Sequence, residues 1–109
     1  MNSEILMAKV KRKLNITWDD PDTTARLEEI INSAIPSLIH KLGITDSNFD
    51  FSEAGQENTL FLNYCFYEWN HALPDFDENY KQLIADVQRK WRVKEHLAES
   101  GGVNEEESV

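Results

Sequence analysis

The chain has 109 residues, of which 40% are hydrophobic and 28% charged, and its formal net charge is −9. This length predicts one domain with a modest core. No uninterrupted apolar run exceeds four residues, which is too short to span a bilayer. Because an acidic chain repels polyanions, we do not expect general nucleic-acid binding.

The charge is distributed unevenly along the chain. Residues 1–18 and 81–98 each carry a net charge of +3, whereas residues 19–57 carry −7 and residues 58–80 carry −4. The last segment, residues 99–109, carries −4 and predicts a flexible, disordered acidic tail. The chain is therefore acidic with two basic segments as local exceptions.

The first basic segment predicts a short amphipathic helix. Leu6, Val10 and Leu14 recur at four-residue spacing, which places them on one apolar face of a helix ending near Leu14. Cations from Lys9 to Lys13 occupy the rest of this helix and its last turn, where they suit the helix dipole.

A longer second helix is predicted with clear signals at both ends. Asp20 is the expected N-cap and Pro21 the first helical residue, while Gly43 is the expected stop. Pro36 lies inside this helix and is expected to kink or split it, because proline removes one backbone hydrogen bond. The apolar stripe has helical period and comprises Leu27, Ile30, Ile31, Ala34, Ile35, Leu38, Ile39 and Leu42.

The second half predicts a loop followed by a helical hairpin. Residues 44–57 are irregular and rich in polar residues, the third helix is predicted from about Asn58 to Leu73, and the fourth starts at an Asp75 cap and fades near Leu97. Eight of the eleven aromatic residues lie between Phe61 and Trp91, so this hairpin is expected to supply most of the core.

The predicted fold class is thus all-α. We expect a small bundle of about four helices with a long C-terminal helix over residues 1–98, and the acidic tail over residues 99–109.

No group of residues predicts catalysis, a cofactor or a metal site. The cluster of Asp19, Asp20 and Asp22 lacks the spacing of a calcium-binding loop and is explained by helix capping. The three histidines lie on different segments, without the grouping that zinc ligands require. A hydrolase built on Cys65 with His40 or His71 stays open, but an apolar neighbourhood would raise the thiol pKa and oppose its reactivity.

The end of the fourth helix predicts a protein interface. The third helix is about 24 Å long and the fourth about 35 Å, at roughly 1.5 Å per residue, so the fourth should extend beyond its partner. Exposed apolar surface framed by charge often marks an interaction site. The candidate interface residues are Arg89, Trp91, Arg92, Val93, Lys94 and Leu97.

The basic segments leave a second interpretation open. A small DNA-binding regulatory protein could use the first helix, from Lys9 to Lys13, or the cluster from Arg89 to Lys94. A solvated helix face is the favoured explanation of the first segment, and an acidic patch on a neighbouring subunit could equally contact the second.

Two ordered sets of residues carry a family resemblance over roughly residues 4–95. The first set is Leu6, Val10-Lys11, Leu14-Asn15-Ile16, Asp19-Asp20, Leu27, Ile30-Ile31 and Ala34, and the second is Leu60-Phe61-Leu62, Tyr64, Tyr67, Phe76, Asn79-Tyr80, Ile84 and Val87. In this order and spacing the chain resembles the head–tail connector (adaptor) proteins of long-tailed bacteriophages and their prophage relatives. Pro36 is not part of that pattern.

The resemblance implies a non-enzymatic virion subunit, made in the bacterial host cytoplasm and located at the head–tail interface. It implies a homo-oligomeric ring below the portal protein that extends the DNA exit channel and offers a platform to a stopper or tail-completion protein. It also implies that the C-terminal helix contacts the portal, with Trp91, Val93 and Leu97 facing it. We expect no sequence-specific nucleic-acid binding and no membrane contact, and residues 44–57 are a further candidate contact with a neighbouring subunit.

Overall fold

The computed structural model shows an all-α protein. It describes residues 3–46 and 48–107, with the backbone alone for residues 99–107. The helices are α1 (Ser3–Lys13), α2 (Pro21–Leu42), α3 (Gln56–Trp69), α4 (Phe76–Asn79) and α5 (Lys81–Glu107), and a 3₁₀ turn (Leu73–Asp75) precedes α4.

The predicted small helical bundle with a long C-terminal helix is confirmed. The predicted acidic tail, residues 99–109, lies outside the residues whose side chains the structure describes. Within the described ranges, no helix combines the length and the hydropathy needed to cross a bilayer.

Both predicted ends of α2 are confirmed. The Asp20 carboxylate accepts a hydrogen bond from the backbone N–H of Thr23 at 3.0 Å, which satisfies one free donor of the first turn. Gly43 has a φ of 70°, a left-handed conformation that glycine adopts without steric cost, and its N–H donates to the carbonyl of His40 at 3.3 Å. Local chemistry therefore sets both ends of this helix.

Pro36 does not split α2, which runs without interruption from Pro21 to Leu42. The proline is exposed, as is Asn32 one turn earlier, so water can reach the carbonyl that loses its helical partner. Ala34 and Leu38, on either side of the proline, are fully buried. Packing of this face holds the helix together across the break in its hydrogen bonds.

The hairpin corner is longer and more irregular than predicted. Helix α3 ends at Trp69, four residues before the expected end, because His71 turns left-handed with a φ of 58°. The predicted fourth helix is divided, since α4 is a single turn and Tyr80 (φ −116°, ψ 21°) separates it from α5. Asp75 occupies the predicted N-cap position of α4, but its side chain makes no capping hydrogen bond. Edge-on contacts between aromatic rings around the corner hold this geometry instead, with 5.8 Å between the ring centroids of Tyr67 and Tyr80.

The segment between α2 and α3 belongs to the core rather than to a loose loop. Phe51 is fully buried and stacks on Phe61 at 5.1 Å between ring centroids. The Asn58 side-chain amide donates to the carbonyl of Phe51 at 2.7 Å. The Asp50 carboxylate accepts from the backbone N–H of Ser52 at 2.9 Å, which fixes the turn. This segment closes over one end of α3 and α5.

Candidate interaction surface

The first half of α5 is anchored in the core. Val87 is fully buried and Ile84 is nearly so. On the neighbouring face, the Gln88 side-chain amide donates to the carbonyl of Lys41 at 2.9 Å, which ties α5 to the end of α2. These contacts fix the direction of the rest of α5, because an α-helix is rigid over a few turns.

Trp91 lies in the core, so the prediction that it is exposed at the tip of the last helix is wrong. Its side chain is 5% exposed, and its indole N–H donates to the Glu57 carboxylate at 2.9 Å. Phe49 covers it edge-on, with 5.6 Å between the ring centroids. The comparison of helix lengths failed because the segment before α3 folds back over this position.

Glu57 is a buried carboxylate that the sequence did not single out. It is 6% exposed and also receives the Lys90 ammonium at 2.6 Å. Burial by itself raises the pKa of Glu57, but hydrogen bonds from Lys90, its own backbone N–H and Trp91 outweigh this, so the pKa lies below its ordinary value. In the sequence it resembles any acid in a first helical turn, and its partners are more than thirty residues away.

Acidification should therefore destabilise the protein as Glu57 is protonated. A group with a depressed pKa in the folded state contributes stability above its unfolded pKa, and that contribution is lost as the pH falls through the folded value. For Glu57 the loss begins near pH 4.5 and continues below it. We expect Glu57→Gln to lower the free energy of unfolding by about 1–2 kcal/mol at pH 7.

Urea denaturation of both proteins from pH 7 down to pH 3 measures this effect. The difference between wild type and Glu57→Gln should shrink toward low pH, whereas Glu53→Gln, a change at an exposed carboxylate, should track the wild type throughout. A constant difference across the whole range would contradict the assignment.

The residues beyond Trp91 leave an exposed apolar stripe. Val93 is 51% exposed and Leu97 is 59% exposed, and the two lie one turn apart on the face of α5 opposite Trp91. Arg92 is exposed, and no hydrogen bond or ion pair within the described side chains engages it. We call Val93 and Leu97, together with the neighbouring cations Arg89, Arg92 and Lys94, the α5 stripe. Five of the six candidate residues are thus exposed, namely Arg89, Arg92, Val93, Lys94 and Leu97, and Trp91 alone of the six is buried.

Two cations of the stripe, Arg89 and Lys94, also contact their own subunit. Arg89 pairs with Asp86 at 3.4 Å, and Lys94 lies over the Trp91 ring at 4.5 Å from its centroid. Both side chains remain mostly accessible, because Arg89 is an exposed residue and so is Lys94. They can contribute charge to a partner at little cost in desolvation.

The basic side of α1 is largely engaged within the molecule. Lys9 donates to the backbone carbonyl of Ser52, and Lys11 pairs with Asp19 at 3.3 Å. Lys13 lies over the Phe66 ring at 5.7 Å from its centroid. Because these lysines contact their own subunit, α1 offers few cations to a partner and acts mainly as a structural helix.

Cys65, the nucleophile that a hydrolase would need, is buried away from solvent. This burial, aided by the charge of Glu68, raises the pKa of the Cys65 thiol to about 12. His71 is exposed and lies 3.4 Å from the guanidinium of Arg26. Among the described residues, no three metal-ligating side chains come together.

Cys65 should accordingly react slowly with iodoacetamide in the folded protein. With a pKa near 12 its thiolate fraction near pH 8 is about a thousandfold below that of an ordinary thiol. The matched reference is Leu97→Cys, which adds an exposed thiol to the same chain. Mass spectrometry over time should show rapid single labelling of the variant and almost none of the wild type, and equal rates would contradict the burial of Cys65.

Comparisons with known proteins add no relative. No protein-family model, no curated protein and no solved structure matches the chain.

Proposed function

We propose that this protein is a non-enzymatic structural subunit of a phage or prophage virion, of the head–tail connector type. In this proposal it forms a ring below the portal protein, extends the DNA exit channel and joins head to tail. Its partners are other copies of itself, the portal protein and a stopper or tail-completion protein. The residue pattern in the two halves of the chain supports the family, and the all-α fold is compatible with it.

The observation that carries the proposal is the α5 stripe. A single exposed leucine is ordinary, but here two apolar residues lie one turn apart on a projecting helix and are surrounded by cations. Among the described side chains of α5, Trp91 is the last buried one, and it contacts Glu57 in the first turn of α3. The stripe therefore lies just past the body of the domain, where a partner can reach it.

The charge balance also supports a channel-forming subunit. Cations that contact phosphate hold DNA in place, and each such contact strengthens binding. A chain with a net charge of −9, in which most basic residues of α1 already contact their own subunit, offers DNA few such contacts.

Mixing the protein with the portal protein of the same phage or prophage tests the proposal. Light scattering of the separate proteins and of the mixture should show a complex much heavier than the portal alone. Heat-denatured portal is the control for non-specific adsorption. If both proteins are folded and the mixture shows only the masses of the separate proteins, the proposal is contradicted.

The rival function, a small DNA-binding regulator, makes the opposite prediction for duplex DNA. Specific regulators bind DNA tightly at low salt and lose affinity steeply as salt rises. We expect no retention on a duplex-DNA column at low salt. Retention with a steep salt dependence, abolished by Arg92→Glu, would favour the regulator.

A further inference from the structure

A groove between α1 and α2 offers a concave surface that the α5 stripe could enter. It has a volume of about 780 Å³. Its apolar floor is formed by Leu6 and Ile31, which are buried, and by Met7 and Ile35, which are half-buried. Apolar side chains that remain partly accessible on the floor of a groove are a typical receptor for an amphipathic helix.

The rim of this groove is acidic. Glu4 and Glu28 lie on its two walls, and Glu28 is exposed. The one cation on the rim, Lys11, is paired with Asp19 at 3.3 Å, so its charge is offset locally. The groove therefore favours an apolar ligand with positive flanks.

The α5 stripe has the complementary character. At 100° per residue, Val93 and Leu97 lie between Arg89 on one side of the helix surface and Lys94 on the other, and both cations are exposed. The acid nearest in sequence, Glu95, lies on a different face, beside Ile44 at the end of α2. An apolar pair with basic flanks thus matches an apolar floor with an acidic rim.

We propose that the α5 stripe of one copy binds in the α1–α2 groove of a second copy. This inference rests on the proposed function, and it assigns to the neighbouring subunit a stripe that the family resemblance assigns to the portal. Because the groove and the stripe are different surfaces, the contact is heterologous, and its repetition closes a ring when the rotation between copies permits. The contact forms between free chains at high protein concentration.

Disulfide trapping between two cysteine variants tests the contact. One protein carries Ala8→Cys, which places a thiol in the groove, and the other carries Leu97→Cys. The matched control replaces Ala8→Cys with Ala54→Cys, an exposed alanine outside the groove. The natural Cys65 is buried and does not interfere.

Under mild oxidation, the groove and stripe variants should form a mixed disulfide at least about tenfold faster than the control pair, as expected for a raised effective concentration. Adding Glu28→Lys to the groove variant should slow this reaction toward the control rate, because it reverses the charge of the rim. Equal rates for both pairs would overturn the inference. If the wild-type protein binds the portal protein in that case, the proposed function survives and the stripe faces the portal. If the wild-type protein does not bind the portal protein, the proposed function itself is contradicted.

Discussion

Trp91→Ala should lower the free energy of unfolding by about 3–5 kcal/mol, the usual cost of removing a large buried aromatic side chain. The indole fills the space between α3, α5 and Phe49, and it donates the hydrogen bond that Glu57 accepts. The variant therefore creates a cavity and also leaves a buried carboxylate with one donor fewer. Urea denaturation monitored by circular dichroism measures the loss.

Two control variants separate these contributions. Trp91→Phe retains most of the packing but not the hydrogen bond, so we expect a loss of about 1–2 kcal/mol. Leu97→Ala removes an exposed side chain from the same helix and should change the stability by less than about 0.5 kcal/mol. If Trp91→Ala were as stable as Leu97→Ala, Trp91 would have to be a surface residue, as the sequence alone had suggested.

The pair of substitutions Val93→Asp and Leu97→Asp should leave folding intact and abolish assembly. Both side chains are exposed in the subunit, so aspartate remains solvated there. In an interface the two carboxylates lose water without gaining a partner, and they oppose the negative net charge of the neighbouring chain. We expect association, with other copies or with the portal, to weaken by at least about a hundredfold, or roughly 2.7 kcal/mol.

The control adds the same two charges elsewhere. Ala25→Asp and Ser37→Asp replace exposed residues outside the stripe, and this double variant should assemble like the wild type. Sedimentation of all three proteins, with and without the portal protein, provides the comparison. Assembly of the Val93→Asp/Leu97→Asp variant at wild-type concentrations would show that the stripe is not an interface.

The parts of the fold that the sequence predicts well are those coded locally. Asp20 and Gly43 act on backbone groups within four residues of themselves, so both ends of α2 can be predicted from a short window. The hairpin is predictable for a similar reason, because its aromatic residues follow helical spacing on either side of one proline. Pro36 shows the limit of such rules, since burial of Ala34 and Leu38 overrides the tendency of proline to end a helix.

The candidate surface is harder to predict because its boundary depends on contacts that are distant in the sequence. Glu57 and Trp91 are 34 residues apart, and Phe49 approaches the indole from a third segment with no regular pattern. The periodicity of α5 puts Trp91 on the same face as the buried Val87 and Leu97 on a different face, but it does not show that the segment before α3 covers Trp91. Their different environments appear once the segment before α3 has folded back over the domain.

Electron microscopy of the portal protein, alone and after addition of this chain, tests the central claim most directly. We predict a second closed ring of density, coaxial with the portal channel, that is absent when Val93→Asp/Leu97→Asp replaces the wild type. Portal rings that look the same with and without the folded wild-type chain at high concentration would contradict the account.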